Sequence, residues 1–403
     1  MKFNKPSQLL LVSFLGLAVA SLLTACQLVT VDFVYVACSA GTASGSAGEI
    51  YTYAVDAHSG ALRQDASPVD SGGTRPVAMA TSSDYWHLYV ANQGNNSVVH
   101  FTIDDHGKLT KKDSVTLSAT PVSIAVSANS KYLYVVSGTS SATLTEYALS
   151  AGAIGSVVTS QALTLSGYSS DTIVPTGVTV LANSSAVYAT VYDKSAYNPG
   201  GSTTSDANPG WIFGYSIGSG GALTAVSGSP YEAGVKPSSL TTDPANRFIY
   251  ITDFASNEMI GYTVLSTDVL QLMVSGPFKT GNEPTAITID PRGLYLYLSN
   301  ALDNSVGGYT ITLSSGAPSA AVSTSGTAAT TTDTDPVSIV VEPALGSYVY
   351  TANYLGNTIS GFHLDANTGT LSLAQATPYP TGAYPRAIVA VPHGNHSVQS
   401  AAQ

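Results

Sequence analysis

Residues 284–290 alternate apolar with polar side chains, the period-two pattern of a strand with one buried face. A Pro-Arg-Gly turn follows at 291–293, then an apolar strand at 294–299 carrying Tyr297. A polar loop at 300–304 leads to a third strand at 305–311 around Tyr309, and a turn and a more variable fourth strand complete the unit. This unit recurs along the chain. Its second-strand tyrosines are Tyr35, Tyr89, Tyr134, Tyr188, Tyr250, Tyr297 and Tyr350. A proline stands 13 or 14 residues before six of them, at Pro76, Pro121, Pro175, Pro237, Pro284 and Pro336. Third-strand aromatics fall at Tyr53, Phe101, Tyr147, Tyr215, Tyr262, Tyr309 and Phe362.

A unit of this size cannot bury its own apolar face and must stack on its neighbours, which predicts a ring of sheets. The first unit lacks a first strand. A surplus one, headed by Pro385, stands at the C-terminal end with nothing after it. Pairing the two closes the ring and removes two exposed edges. The expected fold is all-β: a seven-bladed β-propeller of four-stranded antiparallel blades, closed by the C-terminal strand in the N-terminal blade. The hairpins after the third strand, with Asp56 and Gly60, Asp104 and Gly107, Asp365 and Gly369, read as turn chemistry. The interval from second-strand tyrosine to third-strand aromatic is 12 or 13 residues in five units, 18 in the first and 27 in the fourth. The long one holds a polar, glycine-rich insertion at 192–209, the sort of loop that serves as a lid or a partner contact.

Residues 1–25 read differently. Lys2 and Lys5 precede an apolar run at 9–23, too short to span a bilayer comfortably. The run ends in Leu23-Thr24-Ala25-Cys26, which resembles a bacterial lipobox, so Cys26 is the expected lipidation site; an ordinary cleaved signal peptide is the other reading. Gln27, not Asp, follows the cysteine, which points to the outer membrane of the cell envelope. The expected organisation is a signal peptide at 1–25, a tether at 26–32, one propeller at 33–392 and a disordered tail at 393–403. Cys38 reads as a small buried hydrophobe; if the lipobox reading fails, a Cys26–Cys38 disulfide competes.

Charged residues make up only 10% of the chain and its formal charge is −11. Cleavage before Cys26 would leave it two units more acidic. With no basic stripe, nucleic-acid binding is excluded. A monomer without cofactor is expected, anchored to the membrane through Cys26, with a protein or carbohydrate as ligand. No metal site is expected, since no Cys/His cluster has zinc spacing and no hairpin has the ligand spacing of an EF-hand. Gly214-Tyr-Ser-Ile-Gly218 matches an esterase string but lies on a third strand, not in a strand-to-helix turn.

Candidate chemistry gathers where the blade connections and the loops after the second strands meet, at one mouth of the channel. The connections bring Arg75, Lys236, Glu283, Asp335 and Arg386, and the loops bring Asn92, Asp253, Asn300 and Asn353. Such cations, carboxylates and amides suit an anionic or polyhydroxyl ligand.

The pattern Pro-x12-Tyr-Val-x-Asn, then Asn-x-[Ile/Val]-x-x-[Tyr/Phe] and Gly-x-Leu, resembles the lactonase-like, YVTN-repeat seven-bladed propellers. Asn92 after Tyr89 and Asn353 after Tyr350 match it best, and the likeness covers residues 33–391. That family includes 6-phosphogluconolactonases and a muconate-lactonising branch. The resemblance implies a Gly-x-x-Pro-Arg-His connection and a glutamate just after the second strand of that blade. Here Gly382-Ala-Tyr-Pro-Arg386 reproduces the first part with Ala387 in place of the histidine, and no glutamate opens a loop after a second strand. The catalytic candidates are therefore Glu283 and Arg386. The expected function is a lipid-anchored binding module at the channel mouth; the alternative is an extracytoplasmic lactonase.

Overall fold

The computed structural model describes residues 29–40, 45–166, 172–196, 208–320 and 329–394. Seven antiparallel sheets form, one for each repeat. The innermost strands of blades 2 to 7 are Pro76–Thr81, Pro121–Val126, Ile173–Val180, Pro237–Thr242, Pro284–Ile289 and Pro336–Val341. Blade 1 takes its inner strand from the C-terminal end. Pro385–Pro392 lies antiparallel to Thr30–Ser39, with Tyr35 opposite Val389 and Phe33 opposite Val391. Each inner strand touches the next, and Pro385–Pro392 touches both Pro336–Val341 and Pro76–Thr81, so the ring is closed.

Period-two alternation gives each blade two apolar faces, and each seam between blades buries one from either side. The seven clusters of buried side chains correspond to the seven seams. On the strand Thr30–Ser39, Phe33, Tyr35 and Ala37 face blade 2. Val34, Val36 and Cys38 face blade 7. Cys38 behaves as a buried apolar residue, and burial pushes its thiol up to about 12.

The repeated tyrosine has a physical reason. All seven second-strand tyrosines are fully buried. Six donate their phenol to a backbone carbonyl in the hairpin of the next blade: Tyr35 to Gly107, Tyr89 to Gly152, Tyr188 to Asp268, Tyr250 to Gly316, Tyr297 to Gly369 and Tyr350 to Gly60. The last of these spans the closing seam. Tyr134 instead donates to Glu146 within its own blade, at 3.1 Å. The hairpin glycines do more than turn the chain. A Cβ on Gly60 would lie 2.3 Å from the Tyr348 ring, and one on Gly369 2.2 Å from the Tyr295 ring. Both also hold positive φ, which glycine adopts without strain.

Tyr297→Phe should therefore cost roughly 1–3 kcal/mol, because it orphans a buried carbonyl. Chemical denaturation measures it; an unchanged midpoint would show that the phenol contact is not stabilising.

The fourth strand departs from one continuous element. In blades 1, 4, 5, 6 and 7 two short segments share the third strand, for example Leu371–Leu373 and Tyr379–Pro380 on Thr358–Leu364. Pro230, Pro277 and Pro378 fall in such breaks, where a residue without an N–H cannot continue the ladder. His393, expected in the tail, is held: its N–H donates to Val31 and its ring lies 5.4 Å from Phe33. Residues 395–403, the signal region with Cys26, and the 197–207 part of the insertion lie outside the described residues.

Candidate functional site at the channel mouth

In every blade but the fourth, which begins at Ile173, two residues before Pro175, the inner strand begins at the repeat proline, and the residue before it ends the crossing from the previous blade. Arg75, Glu283, Asp335 and Tyr384 at this place have φ of 50°, 54°, 62° and 53°. Left-handed backbone costs a non-glycine residue of order 1–3 kcal/mol and persists only when neighbours over-determine it. They do so here. The N–H groups of Glu283, Asp335 and Tyr384 donate to the side-chain carbonyls of Asn257, Asn304 and Asn357 in the preceding blades, each at 2.8 Å. Their carbonyls point the other way. That of Arg75 accepts from Gln93, that of Glu283 from Ala301 and that of Asp335 from Tyr354. These side chains are thus presented at the mouth by rigid backbone.

Around the ring the connections read Arg75, Thr120, Val174, Lys236, Glu283, Asp335 and, flanking Pro385, Arg386. The charged ones are consecutive. They form an arc from blade 5 through blade 7 and blade 1 to blade 2, while blades 3 and 4 contribute none.

Within that arc a cavity of about 460 Å³ is lined by Val77, Gln93, Val122, Thr285, Asp335, Val337, Tyr354 and Arg386. Five of these residues, Val77, Val122, Thr285, Val337 and Arg386, follow a repeat proline, Gln93 and Tyr354 follow second strands, and Asp335 stands just before Pro336. The Arg386 guanidinium lies 4.7 Å from the centre of the Tyr354 ring, and its Nη2 donates to the Tyr354 hydroxyl at 3.1 Å. Tyr384 packs on Tyr354 at 5.2 Å between ring centres. The arginine is pre-oriented by an aromatic pair, while its Nε is buried with no hydrogen-bond partner.

Burial raises the pKa of Asp335. Repulsion from Glu283 raises it further, and Arg386 offsets part of the rise. Lys236 lies 4.4 Å from the centre of the Phe254 ring and 5.8 Å from that of Tyr192, which opens the insertion. Burial lowers its pKa, and the Glu283 charge partly restores it. Of the five connection residues, Asp335 and Arg386 line the cavity, Glu283 lies near enough to act on both Asp335 and Lys236, and Arg75 and Lys236 are not among the residues that line it.

Asn92, Asp253, Asn300 and Asn353 do not present their side chains there. All four are buried. Asn92 is bonded to Ser71. Asn353 donates to Thr358 and Ser360, and Asn300 to Ser305. The Asp253 carboxylate accepts from the N–H groups of Val235, Lys236, Ala255 and Ser256. These residues close the loops that carry the mouth. The residue after each reaches the cavity in blades 2 and 7, as Gln93 and Tyr354. Their sequence signal is their place directly after the second-strand asparagine, and Thr285 is marked by its place after Pro284.

The histidines contribute nothing to this mouth among the described residues. His87 and His100 instead join Asp113 in a chain of hydrogen bonds, 2.9 Å and 2.7 Å long, on the strands of blade 2. Among the described residues no three His, Cys, Asp or Glu side chains are placed to hold a metal ion.

No curated protein matches the chain significantly. Solved structures do. The Pseudomonas aeruginosa periplasmic gluconolactonase PpgL superimposes with a TM-score of 0.72 at 16% identity, covering 92% of this chain and 100% of its own. A protein from Bacteroides uniformis, provisionally named a 6-phosphogluconolactonase, gives 0.71 at 16% identity, with 90% and 100% covered. One from Bacteroides fragilis, provisionally named likewise, gives 0.69 at 18% identity, with 90% and 98% covered. At such identities the likeness is one of fold. A sequence profile for seven-bladed β-propeller lactonases matches residues 34–174 and 224–403. The unmatched stretch between them covers most of blade 4 with its insertion. With most of its length matched, the chain belongs to the lactonase family of seven-bladed β-propellers.

Proposed function

We propose that the chain hydrolyses a lactone of a polyhydroxy acid at the channel mouth. The observation that carries this reading is that Asp335 and Arg386 line one cavity, where burial, and after it the Glu283 charge, raises the pKa of the carboxyl. A general base works best when its pKa approaches the working pH, and a buried carboxylate beside a like charge is moved in that direction.

Water attacks the lactone carbonyl and gives a proton to ionised Asp335. The Arg386 guanidinium stabilises the oxyanion. On collapse of the intermediate the ring C–O bond breaks, and the leaving alkoxide takes the proton back from Asp335. Water and lactone become one hydroxy acid. Tyr354 keeps Arg386 in place, and Lys236 and Arg75 draw an anionic group toward the mouth.

Family membership and the names of the structural neighbours support lactones as the substrate class. The lipobox-like string ending in Cys26 supports an envelope location, as does the periplasmic assignment of PpgL. A second reading, a binding module for a polyhydroxy or carboxylate ligand or a partner protein, rests on one departure. Ala387 stands where the resemblance implies a histidine.

The test is hydrolysis of gluconolactone and 6-phosphogluconolactone, followed by proton release. Turnover above the spontaneous rate is expected. Ligand binding without turnover would leave the binding module. The pH profile has a predicted sign. Glu283→Gln removes the repulsion that raises Asp335, so the acid limb of kcat/KM should move to lower pH; a shift to higher pH or none would remove Asp335 from the base role.

A further inference from the structure

Asp32 lies on Thr30–Ser39, the second strand of the N-terminal blade, opposite Pro392 of the closing strand. Alternation puts its side chain on the face shared with Val34 and Val36, toward blade 7. There it meets Glu342, the residue after the inner strand Pro336–Val341. Both carboxyls are fully buried.

Their surroundings differ. Glu342 accepts from the N–H groups of Leu345 at 2.8 Å, Ser347 at 2.6 Å and Tyr348 at 3.3 Å, a turn built around a carboxylate. Neither Asp32 oxygen has a well-formed hydrogen bond from a fixed donor. The Ala344 N–H is near, but the charge that Asp32 meets is the like charge of Glu342. The other titratable groups facing this place are Tyr348 and Tyr350 from blade 7, Asp56 beside Tyr348, Tyr85 from blade 2, and His393 against Phe33. A carboxylate buried beside another, with a single backbone N–H near it and no well-formed hydrogen bond, is strongly disfavoured unless it holds a proton.

We propose that Asp32 is a protonated acid that donates to the Glu342 carboxylate, so that one shared proton fastens the seam where the ring closes. The seam is then a pH-sensitive latch, held while the proton stays and loosened when Asp32 gives it up.

Burial and Glu342 raise the pKa of Asp32 in the folded chain. A raised acid adds stability that is present at low pH. That stability is lost as pH climbs from the unfolded value, about 3.9, through the folded one.

The test uses the full chain. Melting is followed from about pH 5 to about pH 9, spanning the region between carboxyl and amine titration, for the wild type and Asp32→Asn, with and without calcium chloride. The wild type should lose roughly 3 °C or more relative to Asp32→Asn across that range. Its infrared spectrum should hold a buried protonated-carboxyl band at neutral pH that Asp32→Asn removes. If the variant does not fold, the band is read in Glu146→Gln, which removes the other buried carboxyl that burial raises to about 7; loss of the whole band there would overturn the proposal. Parallel pH dependence of the two proteins, or no protonated-carboxyl band, would overturn the proposal. So would a calcium-dependent rise in wild-type melting that the variant lacks, since the pair would then be a cation site.

Discussion

Removing residues 384–403 should convert a cooperatively melting protein into one that aggregates and is cut rapidly by protease. The strand Pro385–Pro392 buries Ala387, Ile388, Ala390 and Val391. It hydrogen-bonds to Thr30–Ser39 and packs against the inner strands of blades 2 and 7. Burying a large aliphatic side chain such as Ile388 or Val391 is worth roughly 1.5–3 kcal/mol, and a domain's whole stability is of order 5–15 kcal/mol. Losing the strand thus removes a large share of the total. It also bares the edge of Thr30–Ser39, which becomes a template for pairing with another chain. The check is a thermal melt with light scattering, alongside a protease time course. A truncated protein with the full-length melting profile would mean that the last strand does not close the ring.

Asp335→Asn and Arg386→Ala should each lower lactone turnover by about 10²-fold or more while melting barely changes. Removing a positioned base typically costs 10²–10⁴-fold, and losing an oxyanion donor about 10²–10³-fold. Both side chains are half-buried at the mouth and lie outside the apolar seams. Arg386→Lys separates charge from geometry. Lysine keeps the cation but not the planar stack on Tyr354, so it should recover only a small part of the loss. Variants with wild-type kcat/KM would move the chemistry elsewhere.

The architecture was legible because a ring of like blades repeats its constraints. Each tyrosine that reaches into the next blade must recur at the same place, and each repeat proline lies at or near the start of an inner strand. The unpaired Pro385 strand disclosed the closure by itself. The mouth was legible at its connections, because the residue before each proline has to arrive there. That rule brings Asp335 to the cavity, and Arg386 reaches it from just after Pro385, while Arg75, Lys236 and Glu283 stand at the same place in their connections without lining it.

The loops after the second strands were harder to read. Asn92, Asp253, Asn300 and Asn353 stand at the right place in the chain but spend their side chains on loop closure, and a polar residue type does not reveal which way it points. Gln93 and Tyr354, one position later, reach the cavity. Two acid arrangements were invisible for a different reason. Asp32 and Glu342 are far apart in sequence and meet only when the ring closes. The Asp113–His100–His87 chain needs three strands of one blade in register.

The most direct test of the central claim is a crystal structure of the protein soaked with gluconate, the hydroxy acid that lactone hydrolysis would yield. Ligand density is expected in the cavity between Asp335 and Arg386, with its carboxylate on the guanidinium and its hydroxyl groups toward Gln93 and Thr285. Density instead in the smaller cavity of about 150 Å³ near Glu232 and Glu258, with the mouth empty, would contradict it.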